Sequence, residues 1–566
     1  MKTHNSNNMN VKFFVSDEMK LEKNAIEQLD QLLKVNESVE TLKAFVPDYF
    51  SDDAAAMREV AITPDFHKGS GIPIGTTMFT KGFIIPQAVG NDINCGMRLY
   101  TTSLNEDDIR CQRKQIEKEI RHVFFEGGRH IPMTKKHRES ILKEGLIGIL
   151  DTHKSLGDNG LWAFYDARQQ EEDLHKVNRL GSFITEEVVG LESYLGSDDV
   201  SYDSQIGSIG GGNHFVEVQK VVNIRNHAIA SAWGLKRDQI VVMIHTGSVS
   251  IGHHAGLNIR EILKSIYPNS LKHPDNGIYV LPHSERLMTE WSTAWSLLHN
   301  AANFAFANRL FLGLMLNKAL RGVVGDFDFK LLYDAPHNFV WQENVDGVEG
   351  FIHRKGSCTA KSAEQMANTP FYYTGEPVFI PGSMGAKSYI LSGMGNRDSL
   401  FSASHGAGRK LSRGNSLKVD DAAFRDFLDN FHVITPIDPN RNDIKSRQDI
   451  LKKWEDELKK EAPYAYKDIN PIIETHEEHG MATVVAEVEP VLTIKDNPST
   501  ETRGSDMDVR FARPVRTGGK YGSPTGFGLG SMCRYSLGIL HFTNAVRRII
   551  RLTAFFGFLF SLGLFR

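Results

Sequence analysis

The spacing of apolar and polar residues along the chain predicts short strands and a few amphipathic helices. Short apolar runs bounded by polar or Gly-rich segments predict strands at residues 11–15, 60–63 and 76–79. Amphipathic spacing predicts helices at residues 21–35, 110–125 and 450–460. Residues 283–321 are rich in Ala, Leu and Asn and predict a long helix that breaks near Asn303. Strands and loops alternate in the middle of the chain, so we expect a mixed α+β fold.

Composition narrows the class of protein only slightly. The chain has 566 residues, of which 41% are hydrophobic and 24% are charged, as in ordinary soluble globular proteins. A formal net charge of -4 excludes a uniformly basic nucleic-acid coat but allows a local basic groove. The four cysteines, at positions 95, 111, 358 and 533, form no CxxC pair, and the N-terminus lacks an apolar signal core. We therefore expect reduced thiols in a cytoplasmic protein.

The composition changes near residue 497, which we take as a domain boundary. Residues 497–530 are rich in Gly, Ser, Thr, Pro and Arg and are typical of a linker or a disordered segment. Residues 552–565 carry no charge, but a membrane span needs about 20 apolar residues. A membrane-surface anchor is one interpretation; we favour a dispensable, non-native or disordered extension and assign no membrane role. The catalytic domain is then predicted over residues 1–496 and the extension over residues 497–566.

The first candidate for chemistry is the pair Asp92 and Cys95, three residues apart in a Gly-bounded turn. A carboxylate and a thiolate at this spacing can face one cation, and a thiolate can bridge two cations. Hard and soft ligands together suit a borderline divalent ion such as Mn²⁺ or Zn²⁺. A single DxxC of this kind is more often structural, so the pair needs further ligands to support a metal site.

A second candidate is His214, which follows three glycines and opens the run FVEVQ. Glycines at that point allow the backbone to approach a ligand closely. Phe215, Glu217 and Gln219 alternate with two valines, a pattern that predicts a half-buried strand beginning at a loop.

Two further histidines stand at predicted strand ends. His245 follows the apolar run at residues 240–244, and His337 follows a short strand predicted at residues 330–333. Any one of the 22 histidines could be a packed or exposed residue, so the argument is cumulative. Five candidate ligands at strand–loop junctions suffice for two metal ions that share one sulfur: Asp92, Cys95, His214, His245 and His337.

The remaining candidate chemistry lies in two Gly- and Ser-rich segments, residues 377–391 and 402–413. Such turns expose N–H groups and hydroxyls that bind phosphate. In the sequence HGAGR, His405 could attack a phosphorus atom, and Arg409 and Arg413 could bind the phosphoryl oxygens. The alternative is a helix N-terminus with a structural histidine.

Together these motifs resemble those of the RtcB-type RNA ligases, and they occur in the family's order between residues 64 and 495. The matching elements are DINCGM, GGNHFVE, HTGS with GH, PHN, HRKGS, PGSMG, SHGAGR with LSR, EAPYAYKDI and VLTIK. The resemblance implies one large α+β catalytic domain with a central metal and nucleotide cleft.

The resemblance also implies a role for each matching residue. Asp92, Cys95 and His214 would hold one Mn²⁺, and Cys95, His245 and His337 would hold a second. His405 would be the nucleophile that takes GMP from GTP. The guanine-nucleotide site would comprise Asn213, His214, Phe215, Val216, Glu217, His337, Asn338, Pro381, Gly382, Ser383, Met384, Ser388, His405, Gly406, Ala407, Gly408, Arg409, Arg413, Tyr466 and Lys495.

The implied reaction joins an RNA 3′-phosphate to a 5′-hydroxyl end through a GMP–histidine intermediate and a GMP-capped RNA 3′ end. A 2′,3′-cyclic phosphate would first be opened to the 3′-phosphate. The physiological RNA could be tRNA halves in splicing or damaged RNA in repair, and an accessory activating protein is possible. We expect a monomer.

Two departures and two competing hypotheses accompany the resemblance. The family's usual HSGSRGLGH is HTGSVSIGH here, so Val249 replaces an arginine and one RNA or phosphate contact is in doubt; Pro336 replaces a cysteine that is not a ligand. A metal-dependent phosphoesterase acting on RNA ends could use the same five ligands with water as the nucleophile. An inactive RNA-binding scaffold should have lost some ligands, and none is lost.

Overall fold

The computed structural model describes residues 2–6, 9–16, 19, 21–90, 92–429 and 431–496. All of them lie in the same compact unit. The predicted extension, residues 497–566, lies outside the described residues, so the predicted domain boundary stays a prediction.

The strands are numbered in chain order. They are β1 (Lys2–Ser6), β2 (Met9–Phe13), β3 (Ala56–His67), β4 (Ile74–Lys81), β5 (Phe83–Ile84), β6 (Gly96–Asn105), β7 (Pro132–Met133), β8 (Ser201–Tyr202), β9 (Phe215–Ile224), β10 (Gln239–Thr246), β11 (Leu281–Pro282), β12 (Phe329–Pro336), β13 (Asn338–Val345), β14 (Val348–Lys355), β15 (Ser357–Thr359), β16 (Pro377–Ile380), β17 (Ser388–Gly393), β18 (Ser402–Ser404), β19 (Val433–Ile434) and β20 (Ala482–Ile494).

The α-helices are numbered in the same way, and short 3₁₀ turns lie between them. The helices are α1 (Lys23–Leu33), α2 (Val35–Phe45), α3 (Glu106–Arg110), α4 (Arg113–Phe125), α5 (Lys135–Thr152), α6 (Ala167–Asp173), α7 (Glu192–Leu195), α8 (His227–Ala232), α9 (Val249–Ile266), α10 (Met288–Val324), α11 (Arg413–Ser416), α12 (Asp421–Asp429), α13 (Gln448–Glu461) and α14 (Asn470–Glu478). The 3₁₀ turns are Pro86–Val89, His153–Ser155, Gly160–Phe164, Leu174–Lys176, Asn178–Gly181, Glu285–Leu287, Glu364–Met366 and Pro463–Ala465.

Two large sheets organise the described part of the chain. The first has the strand order β1-β2-β3-β4-β14-β13 and is antiparallel except for the parallel pair β2–β3. The second has the order β12-β6-β10-β9-β20-β17-β16, with β19 added in parallel to β20. Because the described residues form many helices and two large sheets that are almost wholly antiparallel, the predicted α+β class is confirmed.

The register of the second sheet explains how distant residues meet. Gly96, at the start of β6, pairs with Thr246 of β10 and with Pro336 of β12. His245 pairs in turn with Phe215, the first residue of β9. The beginnings of β6 and β9 and the ends of β10 and β12 therefore lie at one edge of the sheet, because neighbouring strands are antiparallel.

Helix α10 lies against one face of this sheet. Met97 and Leu99 of β6 belong to an apolar core with residues of β10 and β12. The side chain of Arg98, between them in sequence, lies on the opposite face of the sheet, as expected from the alternation of side chains along a strand. There it pairs with Asp334, which also pairs with Arg309 of α10. The ends of β6, β9, β10 and β12 that meet at the site are thus formed by buried residues.

The structure confirms most of the predicted elements and corrects three details. The predicted helix at residues 21–35 is α1, and a second helix that was not predicted, α2, follows it after Lys34. Helix α10 is continuous through Asn303, where the predicted break was wrong, because the Asn303 amide group bonds the backbone of Leu142 and Phe183 and not its own helix. Strand β9 is buried on both faces and not half-buried, because it is central in its sheet.

Among the helices of the described residues, none combines the length and the apolar character that a bilayer crossing demands.

Candidate active site

The five predicted metal ligands form one continuous cluster at the sheet edge. The Cys95 Sγ atom lies 3.3 Å from the Nε2 atom of His214 and 3.4 Å from that of His245. The Nε2 atoms of His245 and His337 are 3.2 Å apart, and the Asp92 Oδ2 atom lies 2.9 Å from the Nε2 atom of His214. The donor atoms of Cys95, His214 and His245 all lie within 4.8 Å of one another. The Cys95 sulfur thus contacts both His214, which pairs with Asp92, and His245, which contacts His337.

The protonation of this cluster suits metal binding. The Nδ1 atom of His245 lies 3.1 Å from the Asn213 carbonyl oxygen, so Nδ1 carries the proton and Nε2 presents a lone pair. Burial lowers the pKa of His245 and of His337 well below the usual range, which keeps both imidazoles neutral. A carboxylate, a thiol that can lose its proton to a metal, and three imidazoles suit divalent ions of intermediate softness.

Local backbone features hold the turn that carries Asp92 and Cys95. The Val249 N–H donates to the Asp92 Oδ1 atom at 2.9 Å, and Val249 adopts a φ of 48°, which β-branched residues rarely do. A Cβ atom at Gly247 would lie 2.6 Å from both carboxylate oxygens of Asp92 and 2.7 Å from the Cα atom of Cys95. Only glycine fits at position 247, between the HT of β10 and the start of α9.

His405 lies beside this cluster, in the loop after β18. Its ring centroid is 4.8 Å from that of His337, and its Nδ1 atom lies 2.6 Å from the Oδ2 atom of Asp65. The residue is in a loop, and α11 begins only at Arg413, so the alternative of a helix N-terminus at HGAGR does not hold.

Asp65, which the sequence analysis did not select, contacts His405 directly. Its side chain is fully buried, which by itself raises the pKa, but hydrogen bonds from His405 and Thr63 outweigh burial and lower the pKa of Asp65 to about 2. The ionised carboxylate therefore accepts the Nδ1–H of His405 and leaves the Nε2 lone pair available. An acidic residue inside the apolar stretch of β3 was the signal that could have identified it.

A cavity of about 370 Å³ adjoins His405. The predicted nucleotide-site residues that line it are Asn213, Phe215, Pro381, Gly382, Ser383, Met384, His405, Gly406, Ala407, Gly408, Arg409, Arg413, Tyr466 and Lys495. The metal candidate His245 also lines it, as do residues that the sequence analysis did not select: His67, Lys68, Gly69, Ser70, Ile74, Glu461 and Thr493. Residues from seven separate segments of the chain thus enclose one space.

The other predicted nucleotide-site residues do not line this cavity. They are His214, Val216, Glu217, His337, Asn338 and Ser388. Glu217 accepts hydrogen bonds from Thr493, which lines the cavity, and from Gln219, each at 2.7 Å. Burial raises the pKa of Glu217 to about 7, although those two bonds act in the opposite direction.

The two predicted phosphate-binding arginines differ in their surroundings. The N–H groups of Arg409 already have five acceptors, in Leu411, Ser416, Lys460, Glu461 and Tyr466. Arg413 donates from Nε to Glu461 at 3.1 Å, its side chain is 58% exposed, and its terminal nitrogens have no hydrogen bond within the described residues. Arg413 is therefore the one with donors available for a ligand.

Fold and site together define a metal-using enzyme built on a mixed α+β domain. Residues 52–496, most of the chain, match the family described as tRNA-splicing ligase RtcB, so the chain belongs to the RtcB family. The resemblance inferred from the motifs is thereby confirmed.

Relatives in archaea and in a eukaryote support this membership. A tRNA-splicing ligase RtcB of Thermococcus kodakarensis is 32% identical over 450 residues, which cover 76% of this chain and 86% of that protein. The protein of the same name from Pyrobaculum aerophilum is 30% identical over 456 residues, 77% of this chain and 87% of its own length. The RNA-splicing ligase RtcB homolog 1 of Entamoeba dispar is 29% identical over 454 residues, 76% and 78% of the two chains.

Proposed function

We propose that this RtcB-family RNA ligase joins RNA 3′-phosphate or 2′,3′-cyclic phosphate ends to 5′-hydroxyl ends, with GTP as co-substrate and two Mn²⁺ ions. The observation that carries the proposal is the contact between Asp65 and His405 next to the cysteine–histidine cluster. A cluster for metals alone would serve a phosphoesterase equally well. A nucleotidyl-transfer reaction also requires a nucleophile, which an oriented imidazole beside the metal cluster can supply. The cavity that His405 lines has N–H and O–H donors that can bind phosphate.

His405 would act as the nucleophile towards GTP. Its Nε2 lone pair attacks the α-phosphorus, a nitrogen–phosphorus bond forms, and the bond to the bridging oxygen of the β-phosphate breaks, so that pyrophosphate leaves. The attack places positive charge on the ring, and the carboxylate of Asp65, 2.6 Å from Nδ1, stabilises that charge while Nδ1 keeps its proton.

The metal ligands divide into two overlapping sets. Asp92, Cys95 and His214 would form the first metal position, and Cys95, His245 and His337 the second. When bound, a pair of divalent ions would neutralise phosphate charge and polarise the phosphorus–oxygen bonds. The contacts of Cys95 agree with shared use of the sulfur, because Sγ is almost equidistant from the Nε2 atoms of His214 and His245.

The later steps follow from the chemistry of the RNA end. A 3′-phosphate is a poor electrophile because its leaving group would be oxide or hydroxide. Transfer of GMP from His405 to the 3′-phosphate supplies a better leaving group, and His405 returns to its free form. The RNA 5′-hydroxyl then attacks the 3′-phosphorus and GMP departs. A cyclic phosphate is first hydrolysed to the 3′-phosphate.

The cavity residues would bind the guanine nucleotide. Arg413 has free donors at the cavity wall and would bind the triphosphate. Lys495 donates to the carbonyl groups of Gly212 and His214, so it would hold the glycine loop as well as line the cavity. Glu217 would reach guanine N–H donors only after a shift of Thr493, which lies in front of it.

Some predictions rest on the sequence alone. We propose a cytoplasmic monomer that acts on tRNA halves or damaged RNA, with an accessory activating protein as a possible partner. Cys95, Cys111 and Cys358 are free thiols, as the predicted reducing compartment would require.

The decisive experiment is mass spectrometry of the protein after incubation with GTP and Mn²⁺. We expect one GMP adduct, located by peptide mapping at His405, that is absent from His405→Ala and present in the matched control His227→Ala, an exposed residue of α8. The His405→Ala variant should still join an RNA that already carries a 3′-terminal GMP cap. An adduct at another residue would disprove the assigned nucleophile, and phosphate release from RNA ends with no adduct would favour the phosphoesterase.

A further inference from the structure

A buried arginine of α10 contacts the backbone at the metal cluster. Arg309 has no exposed surface, and its terminal Nη1 group donates to the carbonyl oxygens of Asn94 at 2.7 Å and Thr246 at 3.0 Å. Its Nε and Nη2 groups contact the carboxylate of Asp334 at 3.0 Å and 2.9 Å. One rigid guanidinium therefore connects three strands, because Asn94 precedes β6, Thr246 ends β10 and Asp334 lies in β12.

Each of the three contacted residues stands next to a proposed ligand of the second metal position. Asn94 directly precedes Cys95, and Thr246 directly follows His245. Asp334 lies in β12, three residues before His337, which follows the end of that strand. Arg309 thus holds the backbone next to two of the ligands, Cys95 and His245, and the side chain of Asp334 in the strand that leads to the third.

The buried ion pair of Arg309 and Asp334 carries a desolvation cost that apolar residues in the same place would not have. Asp334 also accepts from Arg98 at 3.1 Å, and none of the three side chains is exposed. Buried ion pairs of this kind are often matched or exceeded in stability by apolar residues of similar volume. A continuous apolar helix face would therefore serve the fold at least as well, and the arginine needs another reason to be at this position.

The first metal position has separate supports. The Asp92 carboxylate is held by the Val249 N–H, and the His214 carbonyl accepts from the Lys495 amine. Neither contact involves Arg309. The two positions therefore differ in what fixes their ligands, except for the sulfur that they share.

We propose that Arg309 is a positioning residue that fixes the spacing of Cys95, His245 and His337 and so determines the affinity of the second metal position. The inference rests on the proposed metal roles of those residues. Loss of the guanidinium should weaken the second ion more than the first, because the supports of Asp92 and His214 remain.

The test is a titration of the full-length protein with Co²⁺, followed by absorption and by isothermal calorimetry. Cobalt reports thiolate and imidazole ligation directly, so the readout does not depend on ligase activity. We expect two ions in the wild type and, in Arg309→Met, a loss of roughly 10- to 100-fold in the affinity of the second ion, with a smaller loss for the first. Arg309→Lys keeps the charge but not the planar set of donors, so its second-ion affinity should lie between the two.

Two further variants guard against a general folding defect. Arg138→Met removes a similarly buried arginine that pairs with Asp203 at 2.7 Å, outside the metal cluster, and should leave both ions bound. Asp334→Asn keeps the shape of the core and, even if Arg309→Met fails to fold, should weaken the second ion.

The outcomes separate this inference from the proposed function. Two ions bound by Arg309→Met with wild-type affinities would overturn the positioning role, as would equal weakening of both ions. Fewer than two ions in the wild type would instead overturn the two-metal proposal, and the role of Arg309 with it.

Discussion

Replacing Asp65 with asparagine should slow transfer of GMP to His405 strongly while the protein stays folded. The substitution keeps the size of the side chain but removes the charge that faces the Nδ1 atom of His405 at 2.6 Å. The amide can also turn its NH₂ group towards Nδ1, which forces the ring proton onto Nε2. In that tautomer the nucleophilic lone pair is lost from the side that adjoins the cavity.

The structure sets the scale of the effect. A hydrogen bond to a charged group contributes about 1.5–3 kcal/mol, which corresponds to roughly 10- to 150-fold in rate. Inversion of the tautomer adds to this; in a serine protease triad the same substitution lowers kcat by about 10⁴. The expected loss therefore lies between about 10-fold and about 10⁴-fold, and loss towards the upper end would indicate that the tautomer inverts.

The same contact predicts a dependence of stability on pH. Hydrogen bonds from His405 and Thr63 outweigh burial and hold the pKa of Asp65 at about 2 against 3.8 in the unfolded chain. A lowered carboxyl pKa stabilises the fold above pH 3.8, by about 2 kcal/mol, and this contribution disappears as the pH falls through 2. Asp65→Asn should lack this contribution. It should still be folded near neutral pH, because the free energy of unfolding of a native protein is about 5–15 kcal/mol.

Single-turnover transfer of radiolabelled GMP from GTP, in the presence of Mn²⁺, measures the effect on the chemical step. Asp203→Asn is the matched control, because it removes a buried carboxylate paired with Arg138 outside the cluster. An Asp65→Asn rate within a factor of about three of the wild type would refute the orienting role. Joining of RNA with a preformed 3′-GMP cap should be much less affected, because His405 has no nucleophilic task in that step.

Three other predictions can be checked with simple variants. Val249→Gly should raise the free energy of unfolding by about 1 kcal/mol, because it removes a β-branched residue from a φ of 48°; a lower value in urea titrations would show that the side chain is needed. Burial raises the pKa of Glu217 from 4.5 to about 7, so wild-type stability should fall by at most about 3 kcal/mol as the pH rises through that interval, and Glu217→Gln should lack the fall; equal slopes in denaturant titrations would contradict this. Arg413→Gln should raise the KM for GTP roughly 10- to 150-fold with little loss of stability, whereas Arg409→Gln should chiefly lower the melting temperature; the reverse pattern in kinetics and calorimetry would contradict the division of roles.

The sequence was sufficient to select those candidate ligands that combine a metal-binding side chain with a position near the end of a strand. His214 and His245 stand directly beside predicted strands, and His337 follows a strand predicted at residues 330–333. Cys95 was placed at a strand–loop junction, and the register of the sheet brings these strand ends together. A residue next to a strand end needs only correct strand pairing to reach the site. That information is present in apolar periodicity and in the glycines that bound it.

The sequence was insufficient where tertiary contacts decide. In the sequence, Asp65 and Arg309 are charged residues within apolar elements. Only the packed structure shows that Asp65 contacts His405 and that Arg309 contacts residues near three strand ends. Asn303 was taken as a helix breaker because the backbone that its amide group bonds lies more than a hundred residues away. The burial of both faces of β9 likewise depends on its neighbours in the sheet.

The two halves of the site are built on different kinds of structure, and their tasks explain the difference. A metal centre tolerates deviations of only about 0.2 Å in its ligand distances, so its donors belong at the ends of strands that are paired and buried on both sides. Four of the five proposed ligands stand there, and Arg309 further joins the backbone beside two of them to Asp334 in the strand that precedes a third. Most of the proposed nucleotide contacts come instead from loops, because a triphosphate and then an RNA end must occupy the same cavity in turn, and backbone N–H groups and arginines in loops can bind either.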